Sequence, residues 1–190
     1  QYASAYVTCV FEGMEGLINL YQLTGDKKYL DTAVKFADFH EQFDVVPVGH
    51  SHGSVGQTGM LVRLYEATGN EKYLNRALAR WELLVKDGYV NPAGSILEKL
   101  WVSGHTCDEG CTEGDWLRLN LLLWKCTKQT KYLDMAERLF WNGIIPNQWP
   151  SGGFGHRNMG VDEKGAYSYQ DPLAESFWCR SFHVPWALNW

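Results

Sequence analysis

Leu23-Thr24-Gly25-Asp26-Lys27-Lys28-Tyr29-Leu30 is the stretch that decides the fold, because its logic recurs twice further along the chain. The counterparts are Ala67-Thr68-Gly69-Asn70-Glu71-Lys72-Tyr73-Leu74 and Cys126-Thr127-Lys128-Gln129-Thr130-Lys131-Tyr132-Leu133. Gly25 and Gly69 suit the left-handed backbone that ends a helix. Asp26 and Asn70 can cap the helix that follows, and each Tyr-Leu pair opens a new apolar face. Tyr29 and Tyr73 stand 44 residues apart, Tyr73 and Tyr132 59. A helix pair repeating at about forty residues or more indicates stacked or toroidal α-hairpins.

Working outward from these turns, a 3.6-residue apolar period predicts helices near 3–23, 28–43, 53–68, 71–87, 112–127 and 130–143. Val10, Met14, Leu17, Ile18 and Tyr21 mark one face of the first helix; Leu117, Leu121 and Trp124 mark one face of the fifth. Sustained strand alternation is absent. The expectation is an all-α chain of helical hairpins, stacked or closed into a toroid. Six helices would build about half of one, leaving an open apolar edge for missing segments or self-association. Two long loops, 88–111 and 144–178, are rich in Gly and aromatics, and loops of that length are usually functional or disordered. Their aromatic content argues against disorder.

The formal net charge of −5, with no basic stripe, argues against nucleic acid as the main partner. No run approaches the ~20 apolar residues of a membrane span. Aromatic residues form 14% of the chain, enough for loop rings to stack on sugar faces as well as to fill a core. The chain opens and closes inside apolar patterns, so it is expected to be a single domain over 1–190, cut at both ends. Its compartment is not legible. Of five cysteines, Cys9 and Cys126 fall in helical apolar patterns, whereas Cys107, Cys111 and Cys179 lie in polar surroundings beside acids and His.

The densest constellation is His105-Thr106-Cys107-Asp108-Glu109-Gly110-Cys111-Thr112-Glu113-Gly114-Asp115-Trp116, which runs into the fifth helix. Thr112 or Asp115 could cap that helix, and acids near its start are favoured by the dipole. Glu109 and Cys111 put a carboxylate beside a thiolate, a start for a zinc site. The rival reading is an acidic cap with an incidental cysteine. Further ligands would have to come from elsewhere, and Trp178-Cys179-Arg180-Ser181-Phe182-His183 is the segment best suited.

Taken in order, Gly49-His50, Trp81 with Gly88-Tyr89-Val90, Glu98, the His105–Trp116 run, Gly153-Phe154-Gly155-His156 and Trp178–His183 resemble the β-L-arabinofuranosidase family, glycoside hydrolase family 127 and its relatives. The resemblance implies an (α/α)6 barrel, here without the β-sandwich domains that follow it in the family. It also implies a retaining glycosidase acting on β-L-arabinofuranosyl or related plant-glycan sugars, with zinc as cofactor. On that basis Glu109, Cys111 and Cys179 are metal ligands, Cys179 is also the nucleophile, and Glu98 is the general acid/base. His50 matches a substrate-contacting histidine; His105, His156 and Trp116 are expected to line the pocket, and His52 could point into the same cleft.

One residue departs from the family pattern. Arg180 stands where a second cysteine normally supplies the fourth zinc ligand. A guanidinium is cationic and has no lone pair to offer a metal. Cys107 or His183 could replace the missing ligand, zinc could keep three protein ligands, or the metal could be lost. Two other readings therefore stay open. One is a glycosidase using carboxylates alone, as inverting (α/α)-barrel glycosidases do, with Glu98 paired to Asp108, Glu113 or Asp115. The other is an inactive carbohydrate-binding or assembly subunit.

Overall fold

The computed structural model describes residues 13–41, 50–98, 100, 108–148, 150, 160–161 and 167–168. Within them lie six α-helices: α1 (Gly13–Thr24), α2 (Lys27–Glu41), α3 (Ser51–Thr68), α4 (Glu71–Lys86), α5 (Gly110–Thr127) and α6 (Thr130–Leu139). The one strand pair among the described residues is β1 (Gly160–Val161) against β2 (Tyr167–Ser168), antiparallel and two residues long. The chain is all-α, built of helical hairpins as in an (α/α)6 barrel.

The three repeated turns are physically the same object. In each, a threonine hydroxyl at the helix end donates to the carbonyl four residues back: Thr24 to Leu20 (2.6 Å), Thr68 to Leu64 (2.6 Å) and Thr127 to Leu123 (2.7 Å). The same hydroxyl accepts from the amide two residues on, at 3.2 Å every time. Between them sits a left-handed residue: Gly25 at φ 71°, Gly69 at φ 69° and Lys128 at φ 58°. Asp26 and Asn70 then accept the amides of Lys28 and Lys72 at 3.1 Å, capping α2 and α4 as their sequence positions suggest.

Helices α3 and α5 are buried on every side over 51–53, 55–56, 58–64 and 110–120. They run parallel, since the pairs Ser51–Thr112, His52–Asp115 and Gly59–Leu122 advance together along both. This is why the fifth helix lacks the one-sided pattern expected of it: an inner helix has no solvent face. The flanking helices α4 and α6 are amphipathic, burying Tyr73, Leu74, Ala77, Trp81 and Leu84 in one and Tyr132, Met135, Ala136 and Leu139 in the other. Trp81 joins the layers. Its ring stacks on Trp116 (5.9 Å, 14°), meets Tyr132 edge-on (4.9 Å) and donates its Nε1–H to Asn120 Oδ1 at 2.8 Å.

Polar pairs join α1 to this core. Arg118 of α5 bonds Glu15 of α1, and Arg63 of α3 bonds Glu66 (2.5 Å), Gln22 (3.3 Å) and Asn19 (3.4 Å). Burial lowers the Arg118 pKa to about 10, which leaves it cationic at neutral pH. Among the described residues no helix is long and apolar enough to cross a membrane.

The regular part of the sixth helix stops at Leu139, short of the expected 143, and continues as a π turn (Phe140–Ile144). The widened turn brings Gly143 against the loop that follows α4. A Cβ on Gly143 would lie 2.7 Å from Ser95 Oγ and 3.0 Å from Glu113 Oε1.

At Gly69 nothing lies within 4 Å of an added Cβ, so only the left-handed backbone opposes a side chain there. Gly69→Ala should therefore lower stability by about 1–2 kcal/mol without loss of helix content. Thermal melting followed by circular dichroism measures this; an unchanged midpoint would remove the conformational account of the turn.

Candidate functional site

The parallel packing of α3 and α5 brings two helix starts together. His50 is the N-cap of α3 (φ −74°, ψ 128°) and Glu109 the N-cap of α5 (φ −135°, ψ 133°). Neither side chain makes a capping hydrogen bond to its own helix, so both can reach outward. They meet: His50 Nε2 stands 2.7 Å from Glu109 Oε2. Just inside the two helices, Ser51 Oγ and Thr112 Oγ1 are hydrogen-bonded at 3.0 Å, which fixes the register of the helix starts.

Glu98 arrives from the loop after α4. That loop is folded back by the Val90–Ile96 bridge, by Leu97 N donating to Tyr89 O (2.9 Å) and by Asn91 N donating to Ser95 O (2.8 Å). A second bridge, Leu97 with Asp108, brings the chain on either side of 98–107 together, so that Glu98 and Glu109 become neighbours. Ser51 N donates to the Glu98 carbonyl at 2.8 Å, tying the loop to the start of α3. Glu98 Oε1 lies 3.8 Å from His50 Nε2. The three side chains are 20% (His50), 7% (Glu98) and 8% (Glu109) exposed, so the imidazole is the most accessible of the three. One ligating atom from each falls within 4.8 Å of the other two, so the group is able to hold a metal ion.

A second layer fixes these residues. Ser95 Oγ donates to Glu113 Oε1 at 2.9 Å, anchoring the Glu98 loop to a fully buried carboxylate of α5. His52 Nδ1 is bonded to Asp115 Oδ2, and the His52 ring sits edge-on to His50 with centroids 6.1 Å apart. Glu113 and Asp115 thus hold other residues and do not cap α5. The helix begins at Gly110, two residues before the expected 112, which moves the cap to Glu109.

Of the residues expected at the site, His50, Glu98 and Glu109 come together. Cys111 is a buried thiol, outside any disulfide, in the first turn of α5; it lies two residues from Glu109 and is not one of the three clustered donors. Trp116 is corrected: it is 0% exposed and stacked on Trp81 in the core, so it presents no face to a sugar. Its place in the second turn of an inner helix explains this, because every side of that turn is covered by protein. Cys107, His105, His156, Cys179, Arg180 and His183 lie outside the described residues. Ser51 and Ser95 were not anticipated, and nothing in their local sequence distinguishes them from ordinary loop serines. Cys126 is a partly buried thiol whose pKa is raised by burial, as suits a packing side chain.

Residues 3–183 match the family described as "Beta-L-arabinofuranosidase, GH127 catalytic domain". The chain belongs to that family. Among solved structures, a GH127 β-arabinofuranosidase is similar at a TM-score of 0.64 and 24% identity, over 76% of this chain and 27% of that one. An inactive variant of the α-1,6-mannanase GH76A of Salegentibacter sp. HEL1_6, in complex with α-1,6-mannotriose, gives a TM-score of 0.75 at 16% identity, over 94% of this chain and 52% of that one. A D-mannose isomerase gives 0.75 at 18% identity, over 93% and 51%. At these identities the likeness shows the fold. This chain spans about half the length of the mannanase and the isomerase, and 27% of the arabinofuranosidase. No curated protein matches its sequence.

The contact of Gly143 with Ser95 and Glu113 yields a stability test. Gly143→Ala should cost about 1–3 kcal/mol by overpacking and Ser95→Ala about 1 kcal/mol through the lost hydrogen bond. The double variant should cost less than the two together, because removing the serine oxygen makes room for the new methyl. Urea unfolding of the three variants checks this; strict additivity would mean the π turn does not bear on the Glu98 loop.

Proposed function

We propose that this GH127 domain is the catalytic part of a retaining glycosidase acting on β-L-arabinofuranosyl or related plant-glycan sugars. The observation that carries the reading is the convergence of Glu98 and Glu109 beside His50, from segments far apart in sequence, at the paired starts of two inner helices. In this reading Glu109, Cys111 and Cys179 hold zinc. The donor set suits it: zinc accepts imidazole, thiolate and carboxylate, and the described part of the site offers the first and third within 4.8 Å, with Cys111 in the adjoining helical turn. Bound zinc keeps a coordinating thiol ionised at neutral pH.

The chain's own groups then divide the work. Cys179 sulfur attacks the anomeric carbon while Glu98 gives its proton to the departing glycosidic oxygen. In the second half Glu98 takes a proton from water, and the hydroxide oxygen displaces the cysteine sulfur with net retention. His50, the most exposed of the three clustered groups, contacts the sugar hydroxyls.

The geometry favours one second reading. Glu98 and Glu109 bring carboxylate oxygens within 4.8 Å of each other. That is closer than the ~6.5–9.5 Å an inverting pair needs to admit water, and near the ~5–5.5 Å of a retaining carboxylate pair. Glu109 would then be the nucleophile and Cys179 dispensable. Glu113 and Asp115 suit a carboxylate pair with Glu98 less well, since Glu113 is bonded to Ser95 and Asp115 to His52.

Assayed on chromogenic furanosides, Cys179→Ser and Glu98→Gln should each reduce kcat at least about 1,000-fold with the fold intact, a loss of about 4 kcal/mol in transition-state stabilisation. Mass spectrometry of quenched turnover should locate the glycosyl adduct on Cys179. An adduct on Glu109 with full activity in Cys179→Ser would establish the carboxylate reading instead.

A further inference from the structure

We infer that Ser95 and Glu113 are positioning residues for proton transfer: their hydrogen bond sets where the Glu98 carboxyl stands relative to the departing sugar oxygen. This role rests on the reading of Glu98 as the general acid/base. It holds whether the nucleophile is Cys179 or Glu109.

Three features of the structure carry it. The first is that residues 95–98 form one stiff piece. Ser95 O accepts from Asn91 N at 2.8 Å, and Ser95 N donates to Asn91 Oδ1 at 3.0 Å. Ile96 bridges to Val90, and Leu97 N donates to Tyr89 O at 2.9 Å. Glu98 O accepts from Ser51 N at 2.8 Å. With each residue of the stretch bonded or bridged, a displacement at Ser95 meets little slack before it reaches Glu98. Extended chain rises about 3.3 Å per residue, so the two lie within roughly 10 Å of each other.

The second is the depth of the anchor. Ser95 is buried and donates its hydroxyl to Glu113 Oε1 at 2.9 Å, and Glu113 is fully buried. In a place closed to water the carboxylate oxygen gains by keeping that hydroxyl, so the contact is well determined. Glu113 lies one helical turn beyond Glu109 on α5, its amide donating to the Glu109 carbonyl at 3.0 Å. The helix that presents Glu109 therefore also holds the loop that presents Glu98.

The third is the wall on the other side of the loop. The π turn lays Gly143 against the pair, with a Cβ position 2.7 Å from Ser95 Oγ. Gly94, at φ 93°, has a Cβ position 2.9 Å from the Leu139 amide nitrogen. Ser95 is thus held between α5 and the π turn, a kind of irregularity that is frequent at functional sites.

A general acid acts only within hydrogen-bond reach of the oxygen it protonates. A misplacement of about 1 Å can cost roughly 100-fold in rate. The signature is chemical. A nitrophenyl group departs as a stabilised anion and needs little protonation, whereas an unsubstituted phenyl group needs the proton. Loss of the Ser95–Glu113 bond should therefore slow cleavage of the phenyl furanoside and spare the nitrophenyl one. Damage to the fold would lower both alike.

The test measures kcat/KM on both glycosides for the full chain and its Ser95→Ala, Gly143→Ala, Glu113→Gln and Glu98→Gln variants, with folding followed by circular dichroism. Ser95→Ala should lower the phenyl value about 10–100-fold and the nitrophenyl value less than about threefold. Gly143→Ala, which crowds the serine, should shift the ratio in the same direction. Glu113→Gln keeps an acceptor oxygen for Ser95 and should hold the ratio within about threefold of the unsubstituted chain. Glu98→Gln should discriminate most strongly. Independently of turnover, the Leu97 amide should exchange with solvent faster in Ser95→Ala. Equal losses on both glycosides in Ser95→Ala and Gly143→Ala, or unchanged Leu97 exchange, would overturn the positioning role; discrimination by Glu98→Gln would then leave the acid/base reading standing. A Glu98→Gln variant that treats both glycosides alike, or a full chain that cleaves neither, would overturn that reading and this inference with it.

Discussion

The packing of α3 against α5 is the constraint on which the rest of the structure depends. Both are buried on every side through most of their N-terminal halves, and they run parallel with their starts in register. Parallel neighbours arise because each is followed by an outer helix that carries the chain back, so successive inner helices begin at the same end of the fold. A helix start exposes unpaired amides and the positive end of the helix dipole. Two starts side by side therefore make a place where carboxylates are favoured, and Glu109 occupies it. The site is a consequence of the fold's connectivity as much as of any one residue.

The loop after α4 turns that place into a site. It is held at both ends by bridges, at its middle by the Ser95–Glu113 hydrogen bond and at its end by the amide of Ser51. Two glycines allow this closeness. Gly94 adopts φ 93° with a Cβ position 2.9 Å from the Leu139 amide, and Gly143 faces Ser95 and Glu113 from the π turn. Glu113 in the inner helix and Gly143 in the hairpin's outer segment thus act on Glu98 through the loop that carries it. Each buried polar group of α5 has its own structural role. Glu113 fixes the loop, Asp115 fixes His52, and Arg118 joins α1 to the core.

The sequence made much of this legible. Three Thr-centred turns marked the hairpins, and their hydrogen bonds repeat almost atom for atom, because capping and left-handed turn chemistry are local. The helix ends at those turns lie within a residue of where the period puts them. Ends remote from the turns agree less well: α3 and α5 each begin two residues early, and α6 passes into a π turn at Phe140. The order of motifs along the chain also singled out Glu98, Glu109 and His50, three side chains that the structure brings together. The place of Trp116 was not legible. An aromatic near the start of a helix beside acidic residues looks the same in sequence whether it faces a sugar or the next helix, and only the all-round burial of α5 decides it for the core. The roles of Glu113 and Asp115 were hidden for the same reason, since their partners Ser95 and His52 are 18 and 63 residues away.

By itself the sequence determined the fold class and the family, because periodicity, caps and motif order are properties of neighbours along the chain. Tertiary structure alone decided which side chains meet. His50 and Glu109 are 2.7 Å apart because two helices begin at one level, fixed by a hydroxyl pair between Ser51 and Thr112. No local rule sets that level. It follows from packing two helices that have no solvent face, where a shift along either axis would break buried polar pairs and leave their groups unmatched.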